Sequence, residues 1–311
     1  MRCTGVAAGA WLVRWAPAME FTLEALPASA RAVKFPTDPR ERIAIASYPF
    51  REFIAGPEHK TGNPTIALKD FAAHVVEKFG VHRIEPWSAH FPSTDPKYLE
   101  EYRAAVERAG AAVADVAVDG EHSPYATNSN EREQAIAFSK RWIDVAVAIA
   151  SPSIRTNIPP ADSARPDIAR LSESLRRVAE HASTKNVVVH LENDNPVSED
   201  PFFLAQVIDK VNSPWLRALP DFGNSLAAHS DDENYAYRGI DALFARAWGI
   251  CHVKDEEVNP QGKMVHVDLA RTFRILKRHD YKGYCSIEYD SPGDPYRPTA
   301  ALIAKTIEFL S

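Results

Sequence analysis

Val187-Val-Val-His-Leu-Glu192 opens with three β-branched residues and closes on an acid. Three later runs share that form: Leu216-Arg-Ala-Leu-Pro-Asp221, Gly249-Ile-Cys-His252 and Tyr284-Cys-Ser-Ile-Glu288. Each is a short apolar stretch ending on a residue that can bind a metal. Their last residues stand 29, 31 and 36 positions apart. A strand, a helix and two loops occupy about 30 to 40 residues, so each gap is close to one βα unit. In a closed barrel of parallel strands, Glu192, Asp221, His252 and Glu288 would emerge together at the C-terminal rim. Three carboxylates and one imidazole meeting there make a divalent-cation site.

Working outward from these runs, the chain alternates β-type and amphipathic segments from Arg42 onward. Strands are predicted at Ile43–Ser47, Arg83–Glu85, Val113–Val118 and Ser153–Asn157. Helices are predicted from Phe71 to a stop at Gly80, over 97–109 before Gly110, over 131–150 and over 167–183. Asp200-Pro201 reads as an N-cap followed by proline at the first helical position. Later helices fall near 237–246, 269–278 and 299–310, with Asp268 as a cap. The result is eight strands and eight helices. An open doubly wound sheet has the same periodicity, but four ligands on consecutive strands converge better in a barrel. No G-x-G-x-x-G is present, and glycines number only 13. The expected fold is therefore α/β, a single (β/α)8 TIM barrel over 41–311.

At 311 residues, 45% hydrophobic and 25% charged, the chain has the apolar content for one large core. A net charge of −6 provides no basic field for phosphates, which argues against a nucleic-acid partner. No apolar run approaches the roughly 20 residues needed to span a bilayer. Strand parity sends Cys251 and Cys285 outward, under the helices, as buried thiols rather than a disulfide. Residues 1–40 differ from the rest. Thr4-Gly-Val-Ala-Ala-Gly-Ala10 and Trp11-Leu-Val13 resemble the back half of an export signal, with Ala28-Ser-Ala30 suited to cleavage. A loosely packed N-terminal arm is the alternative, so a cytoplasmic and an exported location both stay open.

The ordered motifs His190-Leu-Glu-Asn193, Asp221-Phe-Gly-Asn224, Cys251-His-Val-Lys-Asp255 and Ser286-Ile-Glu-Tyr289 resemble the xylose-isomerase-like TIM-barrel superfamily of sugar isomerases and epimerases. The resemblance runs from about residue 42 to the C-terminus. It implies that Glu192, Asp221, His252 and Glu288 hold one divalent ion; by their own chemistry, hard carboxylates with a single imidazole suit Mn²⁺, Mg²⁺ or Co²⁺, with Zn²⁺ a further candidate. It also implies that Glu192 and Glu288 are the acid/base pair, moving protons beside a sugar carbonyl through a metal-stabilised enediolate. An inosose-type dehydratase shares the first step and is the runner-up. A DNA-repair nuclease of the endonuclease IV group needs further ligands. Asn224 stands where that group has a histidine, and Met264-Val265-His266 is the nearest match to its later pair. A non-catalytic sugar-binding barrel would not need both glutamates.

Neighbouring residues extend the expected site. Lys254 shares the inward face of His252 and could hold a substrate oxygen or pair with Asp255. His190 lies one layer below Glu192, as a hydrogen-bonded core histidine. Arg155, Asn157 and Asn224 are candidates for substrate hydroxyls. Glu85, His90 and His122 follow the second and third strands and are candidates for the pocket lining, and Tyr48, Phe50 and Trp87 for an apolar wall. No glycine-rich phosphate cradle is evident, and Ser291-Pro-Gly-Asp294 is a turn carrying an acid. The expected partner is a non-phosphorylated sugar or polyol. A homo-oligomer paired through its helices is expected by analogy alone.

Overall fold

The computed structural model describes residues 33–311 apart from 63, 162–164 and 292. Cys3 and the predicted cleavage site thus lie outside the described residues. The chain begins with β1 (Ile43–Ala46), α1 (Phe71–Phe79), β2 (Arg83–Glu85), α2 (Pro96–Arg108), β3 (Ala112–Val113) and β4 (Ala117–Val118). It continues with α3 (Ser129–Ala148), β5 (Ser153–Thr156), α4 (Ile168–Lys185), β6 (Val188–Glu192), α5 (Asn195–Ser198) and α6 (Pro201–Val211). Next come β7 (Leu216–Leu219), α7 (Asn224–Ala228), α8 (Glu233–Phe244) and β8 (Ile250–Val253). A hairpin of β9 (Glu256–Val258) and β10 (Met264–His266) precedes α9 (Leu269–Arg278), β11 (Tyr284–Ile287) and α10 (Tyr296–Leu310).

Two parallel ladders form the wall, in the orders β3-β2-β1-β11-β8 and β4-β5-β6-β7. Isolated parallel bridges join them at both seams, Trp87 to Ala117 on one side and Asp221 to His252 on the other. Backbone bonds from Ala117 N to Pro86 O, at 3.0 Å, and from His252 N to Pro220 O, at 3.1 Å, carry the pairing across. The expected (β/α)8 barrel is thus the observed fold, with β3 and β4 sharing one of its eight wall positions.

The expected continuous strand over 113–118 is broken, for a local reason. Ala114 packs in an interior cluster with Ala44, Leu219 and Ile250. Asp115, its neighbour, also reaches the interior, where its Oδ1 meets His190 Nδ1 at 3.1 Å. Two successive inward residues break strand alternation, and the chain passes from the ladder of β2 to that of β5. The expected helix near 237–246 instead begins at Glu233, because the Asp232 side chain caps the amide of Tyr235. Asp200 accepts from the amides of Phe202 and Phe203 as the Asp-Pro pair predicts. Gly80 closes α1 at φ 59°, a conformation that costs a side chain energy.

Phe35 packs edge-on against Trp248 and Tyr284, with ring centroids 5.5 Å away in each case. Both partners lie at strand N-termini, so residues before position 41 help to close the bottom of the barrel. The opposite, C-terminal rim is left open.

Candidate active site

Glu192, Asp221, His252 and Glu288 come from the ends of β6, β7, β8 and β11, four successive positions in the wall. Each offers a ligand atom, and these atoms lie within 4.8 Å of one another, all buried. His252 Nδ1 faces the cluster, 2.7 Å from Glu192 Oε1, 3.1 Å from Glu288 Oε2 and 4.0 Å from Asp221 Oδ2. The Asp221 carboxylate is aimed by its own loop: Oδ1 accepts the amides of Gly223 at 2.8 Å and Asn224 at 2.6 Å. Asn193 clamps the Asp221 backbone from β6, accepting its N–H at 2.8 Å and donating to its carbonyl at 3.1 Å.

The second oxygen of Asp221 is buried without a hydrogen-bond partner. Glu192 Oε2 lies 2.8 Å from Arg155 Nε, but the two do not align as a hydrogen bond, so the contact is ionic. An unsatisfied buried oxygen such as Asp221 Oδ2 is costly unless a cation takes it up. Together with an imidazole nitrogen, these hard donors fit a divalent ion of the Mn²⁺, Mg²⁺ or Co²⁺ type. Among the described residues, this is the one such cluster.

The electrostatics agree with a site short of positive charge. Burial, then repulsion from Glu192 and Glu288, pushes the Asp221 carboxyl up to about 8 despite the attraction of Lys254. Burial also raises Glu192, against the pull of Arg155 and His252. For Glu288 burial is outweighed by His252 and Lys254, which hold it below the usual carboxylate range. Burial disfavours the His252 imidazolium, but Glu288, Glu85 and Glu192 more than compensate and raise it.

Above the cluster opens a cavity of about 600 Å³. Glu192, Glu288 and Lys254 reach it from below. Lys254 Nζ donates to Asn224 Oδ1 at 2.9 Å and Glu257 Oε2 at 2.8 Å, and stands 3.3 Å from Glu288 Oε2. Lys305, not Lys254, pairs with Asp255, at 3.1 Å. Arg155 and Asn157 form one wall. Asn157 Nδ2 donates to Asp194 Oδ2 at 2.9 Å, and Arg155 Nη1 to Asp119 Oδ1 at 2.5 Å. Tyr48 and Trp87 meet edge-on at 5.2 Å along another side, and the Trp87 indole donates to Asp119 at 2.7 Å. Phe50 is instead buried in the core against Phe71 and Tyr296.

Three expected lining residues lie elsewhere. Glu85 is fully buried beneath His252, because its side chain points along the inward face of β2. His90 is buried against Ser47, its Nδ1 2.9 Å from Ser47 Oγ, with the Trp87 ring edge-on to it at 4.9 Å. His122 sits 3.9 Å from Glu121 beside a small cleft over α3, where the loop after β4 has already left the rim. His190 is the buried core residue its parity predicts. His266 is exposed on the hairpin, 3.7 Å from Glu256, and brings no further ligand to the cluster.

Sequence reasoning missed Asp194 and Asp290, although each stands two residues beyond a ligand and so repeats its parity, as Lys254 does. Asp119, one residue after β4, was hidden by the broken strand. Glu199 and Glu257 come from a helix end and the unpredicted hairpin, and nothing in the periodicity marks them.

A family model described as xylose isomerase-like TIM barrel matches residues 73–311. No curated protein matches the chain in sequence. Among solved structures, a xylose isomerase-like TIM barrel protein from Mycobacterium smegmatis in complex with magnesium is 18% identical, with TM-score 0.65 over 90% of this chain and 97% of that one. D-psicose 3-epimerase with D-tagatose, from Clostridium cellulolyticum H10, is 15% identical, with TM-score 0.67 over 86% and 99%. 3-Keto-D-glucoside 4-epimerase from E. coli is 16% identical, with TM-score 0.61 over 85% and 98%.

Proposed function

Because the chain belongs to the xylose isomerase-like TIM barrel family, we propose that it is a divalent-cation-dependent isomerase or epimerase of an uncharged sugar or keto-polyol. The carrying observation is the buried Glu192–Asp221–His252–Glu288 cluster at the floor of an open cavity. The solved relatives agree in class: two are sugar epimerases, and one was crystallised with magnesium.

Glu192 Oε1, Asp221 Oδ2, His252 Nδ1 and Glu288 Oε2 would hold the cation. When bound, it supplies the electrophile that polarises a substrate carbonyl and its neighbouring hydroxyl. The chain's own residues then do the proton work. Glu192 and Glu288 enter the cavity from opposite ends of the ligand row, on β6 and β11. One takes the proton from the carbon beside the carbonyl, and the other delivers a proton to the opposite face or the adjacent atom. Lys254, fixed between Asn224 and Glu257, orients a substrate oxygen. Arg155 and Asn157 meet hydroxyls along the wall. Seven carboxylates line the cavity against two cations, Arg155 and Lys254. That field disfavours a phosphorylated substrate.

The test is turnover of ketoses and keto-polyols in D₂O with Mn²⁺, Mg²⁺ or Co²⁺. Deuterium at the carbon beside the carbonyl in an isomeric product is the expected result. Loss of water from the substrate would instead establish the dehydratase reading. Cation binding without exchange on any such substrate would overturn the enzymatic reading in favour of a sugar-binding barrel.

A further inference from the structure

Glu85 ends β2, three wall positions from β8, yet its carboxylate lies under the His252 ring. Its side chain crosses the interior because the strands between carry small inward residues. Register places Ala46 beside Glu85, Ala44 beside Ser286, and Ser286 beside His252. Both carboxylate oxygens accept from His252 Nε2, at 2.9 and 3.0 Å, and Oε2 also accepts from Ser286 Oγ at 2.6 Å. All three side chains are fully buried.

A carboxylate can only accept, so His252 Nε2 must carry a proton, and Nδ1, 2.7 Å from Glu192 Oε1, carries one as well until a cation takes its place. That leaves Nδ1 as the atom turned toward Glu192, Asp221 and Glu288. An apolar residue in place of Glu85 would spare the protein the desolvation of a buried charge. We propose that Glu85, itself held by Ser286, is a positioning residue that fixes which ring nitrogen of His252 faces the cation and strengthens that nitrogen as a ligand. The inference rests on the cation-binding reading of the site.

The experiment measures the Co²⁺ dissociation constant by chelator competition for wild type, Glu85→Gln and Ser286→Ala, with melting temperatures alongside. Ring-nitrogen NMR of His252 is recorded on the same cation-free proteins. Glu85→Gln keeps the volume but loses the charge, and should weaken Co²⁺ binding by about ten- to a hundredfold while shifting the Nε2 signal. Ser286→Ala keeps the charge and should weaken binding several-fold, so it carries the test if the glutamine variant does not fold. Wild-type affinity with unchanged His252 signals in the folded variants would overturn the proposal. Were the wild type itself to bind no Co²⁺, the functional reading would fail separately, and the His252 signals would still decide whether Glu85 holds the ring.

Discussion

Arg155 Nε stands 2.8 Å from Glu192 Oε2, and both side chains are almost wholly buried. The same guanidinium reaches Asp119 at 2.5 Å, so one cation is shared between the floor and the wall of the cavity. Removing one partner of a buried pair leaves an uncompensated charge, at a cost of about 3–5 kcal/mol. Arg155→Met should therefore lower stability by about that amount, seen as a reduced urea midpoint at unchanged slope. A loss under about 1 kcal/mol, the range of surface pairs, would show that the contact is idle.

Glu192→Gln and Glu288→Gln preserve shape while removing the groups proposed to move protons. Each should reduce solvent-deuterium exchange into substrate by at least about a hundredfold, the usual weight of one general acid or base. Circular dichroism should stay near wild type, while the melting temperature should fall, because Glu192 pairs with buried Arg155 and Glu288 with His252 and Lys254. Exchange at the wild-type rate in both variants would sink the acid/base assignment.

Cation binding should appear as stability. At a hundred times its dissociation constant, a bound ion adds about 2.7 kcal/mol. Mn²⁺ or Co²⁺ should raise the melting temperature of wild type and leave His252→Ala and Asp221→Asn unmoved. Without cation, Asp221→Asn should be at least as stable as wild type, because burial, with repulsion from Glu192 and Glu288, outweighs the attraction of Lys254 and holds the Asp221 carboxyl up at about 8. A cation-free variant markedly weaker than wild type would contradict this.

His90 provides the pH test. Burial, then repulsion from His59 and Arg51, pushes its imidazole down to about 3. Below pH 6.5 the unfolded chain takes up a proton that the folded one refuses, so stability falls as pH falls, toward a limit near pH 3. The slope from one such group is about 1.4 kcal/mol per pH unit. In urea unfolding between pH 6 and 4, His90→Gln should lack this slope relative to wild type. Parallel pH profiles would mean that His90 is protonated in the fold.

Gly239 lies inside α8, where alanine ordinarily stabilises a helix. Here a Cβ would fall 1.9 Å from Cγ of Pro201, the first residue of α6. Gly239→Ala should therefore destabilise by about 1–3 kcal/mol, the range of overpacked cores. A raised melting temperature would show that the two helices separate easily.

Much of this molecule was legible before any coordinates. The helix predicted at 269–278 is α9, Leu269–Arg278, because its apolar face repeats every three to four residues between an Asp cap and a polar end. Period two was as informative in the wall. It placed Cys251 and Cys285 outward on neighbouring strands, where they lie buried as free thiols, Cys251 Sγ donating to Cys285 Sγ at 3.8 Å. It also placed Glu192, Asp221, His252 and Glu288 on one rim, since a strand's alternation is local and each run carries its own parity.

Only the tertiary structure decided which residues meet across the barrel. Glu85 was expected in the pocket lining and lies under His252, because the small residues it crosses belong to strands far away in the sequence. Asp119 joins Trp87 and Arg155 through a strand that breaks where Asp115 turns inward to His190. The sequence by itself determined most of the wall strands, the long helices and the faces of the regular strand residues, because these follow from short-range periods, but neither the break at Asp115 nor the β9–β10 hairpin. The partners of each inward side chain were decided by closure of the wall, which brings residues more than a hundred positions apart into contact and leaves no trace in local spacing.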